Sequence, residues 1–194
     1  MRRNLTASTI ACWAAATLAV CGLAGALPGA RAATAPKVVV VNSAGLQRIG
    51  AFRPGGGAGD FGRAVRAFGP PSRSASVLGD TTCRVTWSTQ HVTADFEGTG
   101  GRAAGTTVCS SRQGTFTFAR LGPGWRTSRG LRVGSPTKLI KRLYPAAAFI
   151  YGRWWLVTQP RAGGTGPAAN EPLLTARVAR GHVISLVASV GAGA

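Results

Sequence analysis

The sequence predicts an α+β protein of two tandem repeats, each a short helical layer packed on an antiparallel sheet of three to four strands. Three observations lead there. A helical pattern occurs twice at one constant offset, each copy is followed by runs of period-two strand material, and long helices between those runs are missing.

The chain opens on MRRNLTASTIACWAAATLAVCGLAGALPGARA, with Arg2 and Arg3, then no charge until Arg31, and a small-x-small site at Ala30-Arg31-Ala32. That layout of charge, apolar core and cleavage site is a secretory signal peptide, residues 1–32. Two other readings exist. The uncharged run exceeds the roughly 18 residues that can span a bilayer as an anchor, and Leu18-Ala19-Val20-Cys21 resembles a lipobox with Cys21 as the acylated residue. Pro28, Gly29 and the Ala-rich end favour cleavage, and Val20 stands where a lipobox wants a small residue. The expected product is secreted or cell-envelope-associated, with no transmembrane span after cleavage. Residues 33–44 are taken as a linker.

The first repeat is placed at 45–121 and the second at 122–194. Asp60 to Pro70 superposes on Ser135 to Pro145, matching Phe61, Ala64, Val65 and Phe68 to Pro136, Leu139, Ile140 and Leu143. Those positions are i, i+3, i+4 and i+7, one face of a helix, while Arg63, Arg66, Lys138, Lys141 and Arg142 fall off the stripe. Asp60 and Ser135 stand where an N-cap belongs, Pro136 at a first helical position, and a proline after each helix. Upstream, Ala51-Phe52-Arg53-Pro54-Gly55 pairs with Gly130-Leu131-Arg132-Val133-Gly134 once Gly56 to Gly59 count as an insertion.

Strands are expected after each helix. Cys83, Val85 and Trp87 alternate with polar residues, as do Val92, Ala94 and Phe96, and Thr115 to Ala119 adds another. The second half offers Trp154 to Val157, then a hairpin of Leu174–Val178 and Val183–Val187 turning at Ala179 to His182. Gly163 to Pro167 reads as an exposed loop.

Cys83 and Cys109 are the cysteines outside the signal, and in an oxidising compartment they most simply form one disulfide. It closes a loop of about 27 residues, for which the chain-entropy model gives roughly 3 to 4 kcal/mol. The chain has 23 basic and 5 acidic residues, a net charge of +18. Loss of the three signal arginines leaves about +15. Export argues against nucleic acid as the client, leaving anionic envelope polymers, acidic headgroups or an acidic protein. The basic residues are spread rather than clustered, and only Lys37, Lys138 and Lys141 are lysines, so a solvated, evenly charged surface is the simpler account.

The module apolar-Arg-apolar-Gly, N-cap, short amphipathic helix, Pro stop, then a Cys/Trp strand pair resembles the tandem repeat of the beta-lactamase-inhibitor-protein-like fold. The small lipoprotein of the outer-membrane assembly machinery is a single-copy relative of that fold. The resemblance covers most of residues 45–190 in order of elements and rests on Phe52 to Pro70 and Leu131 to Pro145. The chain is also similar to a group of exported actinobacterial proteins sharing the IGAFRPG and GLRVG…RLYP phrases. The resemblance implies a helical layer on an antiparallel sheet and a protein-binding role without catalysis. No inhibitor contact residue transfers, because none matches position by position.

For chemistry the supply is thin. His91 and His182 fall at turns, and His91, Asp95 and Ser88 could be pieces of a hydrolytic triad only if a buried carboxylate oriented the base. Asp95 and Glu97 share one strand side, which suits solvent or a surface arginine pair better than a cleft. Gly55 to Gly59 before Asp60 lacks the Lys-Ser/Thr of a phosphate loop, and Asp60 would repel an anion there. No catalytic residue, cofactor site or metal site is expected.

Tyr151-Gly152-Arg153-Trp154-Trp155 has binding character: adjacent strand residues face opposite ways, so one tryptophan should enter the core and the other lie outward, unless both faces are covered. The expected function is an exported, non-catalytic macromolecule-binding protein using Tyr151, Arg153, Trp154 and Trp155. Its leading partner is a secreted or envelope protein, such as an enzyme it inhibits or assists. The alternative is an anionic cell-wall polymer, and a hydrolase is the minor one.

Overall fold

Eight strands of this chain hydrogen-bond into one antiparallel sheet, and a three-stranded sheet stands beside them. The computed structural model describes residues 36–77, 81–98, 106–161 and 170–191. The signal peptide, the lipobox cysteine Cys21, and the Gly163 to Pro167 loop lie outside the described residues.

The small sheet holds β1 (Val38–Asn42), β2 (Gly45–Ile49) and β7 (Arg126–Thr127), with β1 antiparallel to β2 and parallel to β7. β1 lies inside the stretch read as linker. Val38 to Val41 is a continuous apolar run with no alternation to mark it as a half-buried strand. Helix α1 (Asp60–Phe68) precedes β3 (Arg73–Val77), β4 (Thr82–Trp87), β5 (Val92–Glu97), the short α2 (Val108–Ser111) and β6 (Thr115–Leu121). Helix α3 (Lys138–Leu143) precedes β8 (Ala148–Ile150), β9 (Arg153–Pro160), β10 (Asn170–Ala179) and β11 (His182–Ser189).

The strand order is β3-β4-β5-β6-β11-β10-β9-β8, so each run of four pairs with its own neighbours and the runs meet at β6 and β11. Leu186↔Leu121 and Ala188↔Ala119 are partners across that seam.

This overturns the expected α+β architecture of two repeats, each a helical layer on its own sheet. Of the described residues 49% are strand and 14% helical, and no helical layer covers a sheet. The reason is length. Helix α1 stops at Phe68 because Gly69 takes φ +85° and Pro70 follows; α3 stops at Leu143, two residues before Pro145. A nine-residue helix is only about 13 Å long, whereas eight strands spaced about 4.8 Å apart extend over roughly 34 Å. Loop and small-sheet residues complete the core instead: Val39, Ile49, Phe52, Trp125 and Leu131 join the same buried cluster as Val85, Phe96 and Leu186.

The strand periodicity is as the alternation requires. Cys83, Val85, Trp87, Val92, Ala94, Phe96 and Phe116 are all buried on one side. There the rings interlock, Phe61 of α1 stacking on Phe96 at 4.9 Å and Phe52 meeting Phe116 edge-on at 5.4 Å. The Cys83–Cys109 disulfide is present, joining β4 to α2.

The capping expectations are corrected as well. α1 is preceded by Gly59 without a side-chain cap, and Asp60 is its first residue, fully buried. Its carboxylate reaches backward and sideways, accepting from Gly55 N at 2.7 Å, Phe116 N at 3.2 Å and Arg63 Nη2 at 2.5 Å. It therefore pins the Gly-rich loop and β6 to the helix. Ser135 also accepts from upstream, from Arg132 N at 3.0 Å.

Candidate functional site

With one face of the large sheet packed on the core, the opposite face is left for other uses. Its residues follow from register: Thr93↔Arg120, Arg120↔Val187, Val187↔Thr175 and Thr175↔Trp155 form a row across β5, β6, β11, β10 and β9. Asp95↔Phe118 and Phe118↔Ser189 form the next row. A cavity of about 440 Å3 opens over these rows, reached by Phe118, Arg120, Thr175, Arg177, Val187 and Ser189 and bounded by Tyr151, Gly152 and Arg153 from the β8–β9 turn.

Tyr151-Gly152 is a two-residue hairpin loop between the paired residues Ile150 and Arg153. Both loop residues have positive φ, +49° and +75°. Such turns favour Asn-Gly, because a side chain beyond Asn or Asp is strained in the left-handed region. A tyrosine occupies the place here, 88% exposed. Its ring centroid lies 6.4 Å from that of Trp155.

The four residues singled out in the sequence are thus divided. Tyr151, Arg153 and Trp155 lie toward the open face. Trp154 turns the other way: it pairs with Ala176, packs against the core cluster, meets Phe149 at 5.6 Å and has Lys141 Nζ 6.0 Å above its ring. Phe118, Arg120, Arg177 and Val187 were not singled out, because they sit on three other strands and only register brings them together. For Arg120, Arg177 and Val187 the one local signal is that each occupies the non-core phase of a strand whose alternate residues are apolar; Phe118 lacks even that, being in phase with buried Phe116 and turned outward by the irregularity in the β5–β6 register.

Three buried polar groups on or beside this face have no hydrogen-bond partner among the described residues: Thr175 Oγ1, Ser185 Oγ and Trp155 Nε1. The charged pair on this face, Arg84 with Asp95, is complete. Arg84 donates to Asp95 through Nε at 2.8 Å and Nη2 at 2.7 Å, and Asp95, by hydrogen bond and charge, holds the Arg84 guanidinium above its usual pKa.

Of the pieces imagined as a triad, Ser88 and His91 share one turn, while the Asp95 carboxylate is drawn to Arg84. His91 is exposed in that turn, and Ser88 N donates to Ser72 Oγ. His182 is exposed at the start of β11, its Nδ1 3.0 Å from Arg180 O. Among the described residues no three His, Cys, Asp or Glu side chains gather as metal ligands, and no helix is long and apolar enough to cross a membrane. The Gly55 to Gly59 loop presents its amide to the protein's own Asp60, so the helix start it leads into already holds a carboxylate.

Fold and site together define a class: a disulfide-linked antiparallel β-sheet protein with an open, arginine- and aromatic-bearing sheet face. Comparison with family models, with curated proteins and with solved structures finds no match for the chain. The resemblance drawn from the two repeated phrases therefore rests on those phrases alone.

Proposed function

We propose that this is an exported, non-catalytic binding protein whose open sheet face, centred on Tyr151, Arg153 and Trp155, docks a secreted or envelope protein. The observation that carries the reading is Tyr151. A large aromatic side chain held almost fully in solvent, on a backbone that disfavours it and with only the Trp155 ring nearby, gains little from the protein's own packing. Tyrosine, tryptophan and arginine are the residues that dominate protein interfaces. The amino-terminal charge and apolar pattern supports export, and the disulfide fits an oxidising compartment.

An anionic cell-wall polymer is the second reading, favoured by the net charge of +18. Capture from the producing cell's envelope at two salt concentrations separates them. A protein partner should remain bound at moderate salt and be lost with Tyr151→Ala or Trp155→Ala, whereas polymer binding should fall steeply with salt. Retention by both variants at both concentrations would sink the protein-docking reading.

A further inference from the structure

The cavity on the open face has a chemistry of its own. Arg120, Arg153 and Arg177 line it from three strands, and none of its lining residues is acidic. Asp95, on the same face, is already paired twice to Arg84. All three lining arginines are exposed, and none of them has a carboxylate partner among the described residues. Arg120 lies two strands from Thr175, about 10 Å by strand spacing, and Arg177 two residues from Thr175, about 7 Å along the strand. Guanidinium forks at that spacing suit a carboxylate reached from more than one side. Beneath and beside them the surface is apolar: Phe118 and Val187 are half-buried in the floor and Pro172 borders it. Thr175, 3% exposed, adds a hydroxyl with no partner among the described residues.

We propose that this cavity takes an acidic peptide segment of the protein partner, its carboxylate held by Arg120, Arg153 and Arg177 and a neighbouring apolar side chain resting on Phe118 and Val187. The proposal rests on the protein-docking reading above and names the chemistry of what docks. An anionic polymer would be served by cations alone. The apolar floor rewards an aliphatic or aromatic group beside the charge, which a peptide supplies and a polyphosphate chain does not. A volume of about 440 Å3 accommodates one or two side chains rather than a folded surface.

The test is a side-chain NMR titration of the isotope-labelled protein with N-acetyl-Glu-Phe-Glu amide, with N-acetyl-Gln-Phe-Gln amide as comparator and inorganic tripolyphosphate as the polymer surrogate. The acidic peptide should shift the Nε–H signals of Arg120, Arg153 and Arg177 saturably, and the glutamine peptide should bind about ten-fold more weakly or worse. Arg120→Gln and Arg177→Gln should each weaken the acidic peptide about ten-fold. Arg66→Gln, on the exposed side of α1, should leave it unchanged. These sites are exposed, so an unaltered amide spectrum elsewhere shows that the variants still fold.

The proposal is overturned if the two peptides bind equally, if the shifts spread evenly to Arg66, Arg73 and Arg126, or if tripolyphosphate saturates the three arginines and the acidic peptide does not. Envelope capture that depends on Tyr151 and Trp155 but is indifferent to Arg120→Gln, with no saturable peptide binding, removes this pocket and leaves the docking reading standing. Capture indifferent to Tyr151 and Trp155 removes the docking reading itself.

Discussion

The region up to β7 and the region from Thr137 onward repeat one strand order but treat their polar groups in opposite ways. In the first, Trp87 Nε1 donates to Gly69 O at 2.8 Å and Trp125 Nε1 to Gln90 O at 2.7 Å. In the second, Trp155 Nε1 is buried with no partner among the described residues. The first region holds the disulfide and the ion pairs Arg63–Asp60 and Arg84–Asp95. The second holds the exposed large hydrophobics Phe149, Tyr151 and Ile184, and with Thr137, Thr175 and Ser185 most of the unpaired buried hydroxyls. A buried polar atom without a partner forgoes the hydrogen bond it had with water. One half is thus cross-linked and, among the described residues, satisfied except at Thr115 Oγ1, while the other keeps several groups unspent. The same strand arrangement is covalently braced in one copy and left with more unpaired polar groups in the other, and the open face draws on both, β6 supplying Phe118 and Arg120.

The largest way to break the contrast is to remove the frame's covalent link. Replacing Cys83 and Cys109 together by Ala should lower stability by about 3 kcal/mol, measured as a shift of the denaturant midpoint at unchanged slope. Hydrogen exchange should show the loss first at β3, β4 and α2, the elements nearest the bridge. Equal loosening of β9 and β10 would mean that the two regions are not separable in this sense.

A matched pair of polar substitutions sharpens it further. Asp60→Ala deletes a buried carboxylate and strands the amides of Gly55 and Phe116. The expected destabilisation is about 2 to 3 kcal/mol, kept from the upper range because Arg63, 38% exposed, can turn to water. Thr175→Val deletes a buried hydroxyl that bonds nothing described and should stabilise by about 1 kcal/mol. Thermal unfolding of the two variants reads the signs directly; the same sign at both sites would refute the contrast.

What was legible beforehand follows the reach of each signal. Alternation is local, so β4, β5, β6, β9 and the β10–β11 hairpin stand where Cys83-Val85-Trp87, Val92-Ala94-Phe96 and their counterparts put them. The turn at Arg180-Gly181 was equally local, with Ala179 and His182 paired around it. The fusion of both runs into one sheet was not legible, because the Leu186↔Leu121 seam joins residues far apart in sequence and no local pattern encodes it. Helix stripes were visible in Phe61, Ala64 and Ile140, yet a stripe does not state whether helices are numerous or long enough to form a layer. At the site, alternation required Trp154 and Trp155 to part, but which one faces the core depends on the β10 register that sets Ala176 beside Trp154.

The smallest effect bears most closely on function. Tyr151 occupies the first loop position of a two-residue hairpin at φ +49°, where Asn is the favoured residue, and at 88% exposure its ring gains little from packing. Tyr151→Asn should therefore raise stability by about 0.5 to 1 kcal/mol by relieving the left-handed strain, seen as a small increase in melting temperature. The same variant should lose the captured envelope partner. Arg180, at φ +49° in the corresponding position of the β10–β11 turn, provides the control: Arg180→Asn should give a comparable gain in stability and leave capture unchanged. Stability gained at both turns with binding lost only at Tyr151 would show that the strained residue is held for the partner. If Tyr151→Asn lowers the melting temperature, the ring belongs to the fold and the docking reading loses its main support.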